Sequence, residues 1–106
     1  MTLTRAFRDT VVARVRRDPR YARALLDEAA THFLNGDAGT ARRVLRDLVN
    51  ATLGFERLAL ATRTPAKSLH RMLSPHGNPG MKNLAAIFDT LRSELGVQLA
   101  ARSSVA

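Results

Sequence analysis

The chain has 106 residues, 45% hydrophobic and 25% charged, the size and composition of one folded domain rather than a multidomain or disordered protein. It contains no Cys, no Trp, one Tyr and four Phe. Disulfides, thiolate catalysis and Cys-based zinc sites are thereby excluded, and the core has to be built from Leu, Val and Ala, which favours packed helices. Seventeen Lys and Arg against nine Asp and Glu give a formal net charge of +8, which points to a polyanionic partner, nucleic acid or an acidic protein, without specifying a fold.

In chain order, the apolar spacing predicts helices throughout. The first runs over residues 4–17, with Phe7, Val11, Val12 and Val15 on one side and Arg8, Arg14 and Arg17 off it. Asp18-Pro19 is a restart signal: Asp caps, and Pro fits the first helical position because its missing N–H has no intrahelical acceptor. The second helix turns Tyr21, Ala22, Leu25, Leu26, Ala29 and Phe33 inward and stops near Asn35-Gly36. Asp37 or Thr40 caps a third helix whose apolar set is Ala41, Val44, Leu45, Leu48, Val49 and Thr52, with Arg42, Arg43, Arg46 and Asp47 facing out.

Gly54 breaks the third helix, and a short helix follows over residues 55–61. After the polar turn Thr62-Arg63-Thr64, Pro65 opens another short helix reaching about residue 73. Residues 74–80, Ser-Pro-His-Gly-Asn-Pro-Gly, are loop chemistry. The last helix, residues 81–95, buries Leu84, Ile87, Phe88, Leu91 and Leu95 and ends at Gly96, beyond which residues 98–106 read as a flexible tail. The expected fold class is all-α, with about six helices in a single domain.

Two helices of about two turns, joined by three or four residues, match the geometry that holds one helix across a DNA backbone and presents the next to the major groove. At 100° per residue, Ala66, Leu69, Met72 and Leu73 share one side of residues 64–74. Lys67, Arg71 and Ser74 lie opposite, flanked by Thr64, Ser68 and His70. Between Glu56 and Asp89 there is no acidic residue, while Arg57, Arg63, Lys67, Arg71 and Lys82 fall there. A groove-facing carboxylate would repel phosphate, so its exclusion suits a DNA face. The candidate base-contacting residues are Lys67, Ser68, His70 and Arg71, with Arg71 or Lys67 donating to guanine O6 and N7. Thr64, Arg57, Arg63, Ser74 and Lys82 are the candidate phosphate contacts. A solvated basic helix face is the alternative reading of these residues.

The segments Gly54-Phe55-Glu56-Arg57-Leu58-Ala59-Leu60-Ala61-Thr62, Ser68-Leu69-His70-Arg71-Met72-Leu73-Ser74, Gly77-Asn78-Pro79 and Leu84-Ala85-Ala86-Ile87-Phe88 together resemble the Cro/repressor-type (lambda-repressor-like, XRE) helix-turn-helix family. More narrowly, the chain is similar to its addiction-module antidote branch, the HigA-like antitoxins. Thr10-Val11-Val12-Ala13-Arg14 and Leu25-Leu26-Asp27-Glu28-Ala29, followed by Asn35-Gly36, look like that branch's opening helices. The resemblance covers roughly residues 3–97. It implies an N-terminal helical pair over residues 4–36, a helix-turn-helix core over 38–97, operator binding as a homodimer, autoregulation, and neutralisation of a RelE/HigB-like ribonuclease toxin. Two departures stand out. Arg63 sits near a turn position where the family commonly has Gly, and a non-Gly residue at positive φ costs about 1 kcal/mol. Pro65 and Ala66 replace residues that often touch DNA, shifting base reading toward Lys67, Ser68 and Arg71.

Other readings remain open at this level: a stand-alone or phage-type repressor with no toxin, or a helical protein–protein adaptor. RelE/HigB-like toxins are basic, so holding one would rest on apolar contacts or on local acids such as Asp27 and Glu28. His32, His70 and His76 lie on two helices and a loop without supporting ligands, so neither a metal nor another cofactor is expected. The carboxylates show no catalytic spacing and no strand precedes a Gly-rich phosphate loop, so an enzyme is not expected. No apolar run approaches the roughly 20 residues of a membrane span, and residues 1–6 lack a secretory pattern; a cytoplasmic protein without membrane contact is the expectation.

Overall fold

The computed structural model describes residues 5–106, with side chains from residue 9 onward; the expectations for Thr4, Phe7 and Arg8 lie outside the described residues. It contains six α-helices: α1 Arg5–Arg17, α2 Pro19–Leu34, α3 Ala38–Ala51, α4 Gly54–Thr62, α5 Ala66–Met72 and α6 Met81–Leu95. Among the described residues there is no strand, and no helix is long and apolar enough to cross a membrane.

Two aspartates set the first half. Asp18 is extended at φ −131°, and its Oδ1 accepts from the Arg20 amide at 3.0 Å while Pro19 opens α2. Asp37, rather than Thr40, caps α3 by accepting from the Thr40 amide at 3.1 Å. Hydrogen bonds from the Thr40 side chain and amide hold the Asp37 carboxyl below its ordinary range. Its cap therefore contributes fully above the unfolded-chain value and is lost as pH falls through the lowered one.

Between these caps, α2 turns back along α3 through residues 35–37, and the two form the most extensive helix pair, with α1 lying across both. Leu26, Leu45, Leu48 and Val49 are fully buried there. The core continues through Leu58 of α4, Leu69 of α5, Leu73, and Ile87 and Leu91 of α6, all fully buried. Each such side chain contributes about 1.5–3 kcal/mol of burial relative to exposure, and no buried residue is polar or charged among those described.

Three local expectations need correction. Phe33 is 41% exposed: it stands in the last turn of α2, with the tilted ring of Phe88 6.4 Å away. Arg42 is half-buried rather than free in solvent; its guanidinium reaches the loop after α5. The tail beyond α6 is not wholly free, since Val97 and Leu99 pack against the core and only residues 100–106 are exposed throughout.

Candidate nucleic-acid interface

The α4–α5 unit is built around one left-handed residue. Thr62 closes α4, and Arg63 follows at φ 54°, ψ 39°, the one non-Gly residue at positive φ among those described. In that conformation the amides of Arg63 and Thr64 both donate to the Ala59 carbonyl, Thr64 at 3.1 Å, satisfying the helix end. Pro65, extended at ψ 139°, then points the chain into α5, where the Ser68 and Leu69 amides both donate to its carbonyl. The connection is three residues, 63–65. Arg63 thus adopts the geometry that a Gly would adopt there, at the cost of about 1 kcal/mol.

Alpha5 is too short to persist alone and is held from three sides. Leu69 and Leu73 are buried, with Ala66 and Met72 half-buried beside them. His70 stacks its ring on Phe55 of α4 at 3.9 Å and 20° between planes, which fixes how the two helices cross. The third hold comes from α3: Arg42 donates from Nη1 to the Gly77 carbonyl at 3.1 Å and from Nη2 to the Pro75 carbonyl at 2.8 Å. Residue 77 has to be Gly for a different reason from the usual one. A Cβ there would run into the Met72 and Arg71 carbonyls, so the loop folds directly under the end of α5. No sequence signal marked Arg42 or this close approach.

The opposite side of α5 is the candidate interface. Lys67 and Arg71 are exposed, one helical turn apart, and neither has an ion-pair partner among the described residues. Like charges at this spacing destabilise a helix by about 0.2–0.5 kcal/mol, a cost that a polyanion reverses. Ser68 is half-buried beside them. His70 is exposed at its edge while its face is committed to Phe55, so stacking limits it to edge contacts. The hydroxyls of Thr64 and Ser74 already donate within the chain, to the Thr62 carbonyl at 3.2 Å and the Arg71 carbonyl at 2.7 Å. Both keep lone pairs but have to rotate before donating to phosphate. Arg63 and Lys82 are exposed, Lys82 in the first turn of α6, where no acid offsets it.

Arg57 is placed differently from its neighbours. Its Nη2 lies 3.0 and 3.2 Å from the two carboxylate oxygens of Glu94 on α6, so a phosphate has to compete with an acid already in place. The three histidines do not converge: among the described residues no group of His, Asp or Glu is arranged to hold a metal ion. His32 lies instead 3.6 Å from Glu28 and 3.8 Å from Asp37 on the α2–α3 turn, which ties one of the two acids considered for a basic partner to a local contact. No family model matches the chain, and no curated protein or solved structure matches it.

Proposed function

We propose that this protein is a sequence-specific DNA-binding transcriptional regulator that lays α5 in the major groove. Arg71 and Lys67 read base edges with Ser68 beside them, and Arg63 and Lys82 neutralise backbone phosphates. The observation that carries this reading is the exposed Lys67–Arg71 face, with no carboxylate in ion-pair reach, on a short helix anchored from behind by Leu69, Leu73 and the Arg42 clamp. The cation spacing is mildly unfavourable in water and favourable beside a polyanion, and the support from behind holds the helix as a base-reading element requires. As a homodimer, it would address half-sites about 34–36 Å apart or a multiple of that.

The test is a mobility shift with the DNA upstream of the protein's own gene. A complex that survives an excess of random duplex, and weakens steeply with salt, supports the proposal. Absence of any complex at low salt overturns it. The resemblance to HigA-like antitoxins extends the proposal to neutralising a RelE/HigB-like toxin. Co-expression with the product of the neighbouring gene decides that part: relief of growth arrest supports it, and arrest without relief leaves a DNA-binding regulator alone.

A further inference from the structure

The α4–α5 face leaves a second group of cations unaccounted for. Arg14, Arg16, Arg17, Arg20 and Arg23 are all exposed at the corner where α1 passes into α2. The one acid among them is Asp18, whose Oδ1 caps the Arg20 amide and lies 3.6 Å from Arg20 Nε. The guanidinium of Arg14 sits over the Tyr21 ring, 4.3 Å from its centroid. Arg16, Arg17 and Arg23 have no ion-pair partner among the described residues. In sequence these arginines alternate with acids, as on a solvated helix; in three dimensions two of those acids turn to other tasks, and Asp27, exposed one helical turn on from Arg23, makes no ion pair with it. Asp37 caps α3, and Glu28 faces His32.

Helix electrostatics accounts for only part of the set. Arg14, Arg16 and Arg17 complement the carbonyl end of α1. Arg20 stands in the first turn of α2 beside the Asp18 cap that offsets it, whereas Arg23, in the second turn, lies away from either helix end. An external polyanion relieves the mutual repulsion of the unpaired cations. The DNA-binding reading of α5 says which polyanion. Because α2 folds back along α3, the α1–α2 corner lies at the end of α3 from which the chain enters α4. Alpha1 packs on α2 and α3, whereas α5 packs on α4, so the corner is separate from the α5 face.

We propose that the α1–α2 corner, through Arg16, Arg17 and Arg23, is a second phosphate-binding surface that extends the protein's contact along the duplex flanking the segment read by α5. It recognises the phosphodiester backbone and no base. The inference rests on the DNA-binding reading, and one experiment separates the two. Fluorescence anisotropy is measured against salt for the full chain on an operator-length duplex and on one extended by about ten base pairs on each side. The triple variant Arg16→Ala/Arg17→Ala/Arg23→Ala should lower the slope of log K against log salt by about 2–3, at about 0.9 per phosphate. It should lose the advantage of the longer duplex and weaken operator and random DNA by the same factor. The corresponding triple Lys variant should retain the slope. If the wild-type chain binds DNA while the Ala triple keeps its slope and length dependence, the inference is overturned and the reading of α5 stands. If the wild-type chain binds no duplex, the underlying reading fails first. Binding of polyglutamate that the triple abolishes, with DNA binding intact, assigns the corner to an acidic protein and also overturns it.

Discussion

The outward face of α5 and the edge between α4 and α6 carry the same side-chain chemistry and use it oppositely. On α5, Lys67 and Arg71 stand exposed without a carboxylate in reach among the described residues. Along the α4–α6 edge, two arginines have acids: Arg57 meets Glu94 at 3.0 Å, and Arg92 meets Asp89 at 2.6 Å. Which cations are left free therefore follows from where the acids return in space, and the number of arginines alone does not determine it. Glu94 lies 37 positions from Arg57 along the chain, so the two regions look alike until the helices are packed.

The largest test of that contrast removes the centre of the free face. Arg71→Ala should cost about 1–3 kcal/mol on the operator and much less on random DNA, because a bidentate base contact is lost. Titrations on both duplexes check this, and equal losses would assign Arg71 to the backbone. Arg42→Ala comes next. It removes two charge-assisted bonds to the 75–77 loop and should lower stability by about 1–2 kcal/mol. Operator affinity should fall although Arg42 lies on the scaffold helix. Arg42→Lys, which lacks the planar fork, should rescue only part of both. Denaturation midpoints and binding isotherms on the same samples separate the two effects; stability loss with unchanged affinity would leave Arg42 a fold residue only.

Much of the α4–α5 unit was legible in the sequence because it is periodic. The 100° spacing put Leu69 and Leu73 inside and Lys67 and Arg71 outside, and α6 begins and ends where its Gly boundaries place it. Contacts whose partners carry no side-chain identity were not legible. Arg42 binds two backbone carbonyls more than 30 positions away, and Gly77 is required by the Arg71 and Met72 carbonyls; neither spacing nor charge could reveal such acceptors. Phe33 read as core because periodicity does not know that α2 outlasts its covering neighbours. The turn at Arg63 shows the opposite case, a local chemical conflict that the tertiary structure overrides.

Arg63→Gly turns that conflict into a measurement with two signs. Relief of the left-handed strain should stabilise the fold by about 0.5–1 kcal/mol, somewhat offset by the greater freedom of Gly in the unfolded chain. The same change deletes a cation beside α5 and should weaken operator and random DNA alike. Thermal melts together with salt-dependent binding check both. A gain in stability with unchanged affinity would move Arg63 off the backbone track.

The smallest effect sharpens the comparison most directly. The Arg57–Glu94 pair is solvent-accessible, with side-chain exposures of 62% and 32%, so Glu94→Gln should cost less than about 1 kcal/mol of stability. It also removes the acid that makes the α4–α6 edge unlike α5. If that acid is what withholds Arg57 from phosphate, the variant should bind every duplex slightly more tightly, with a salt slope steeper by up to about 1. Unchanged affinity and slope would mean that Arg57 lies away from the backbone whatever its partner, so that the boundary between the two regions is set by position. A gain would mean that one carboxylate, arriving from the far end of α6, draws that boundary.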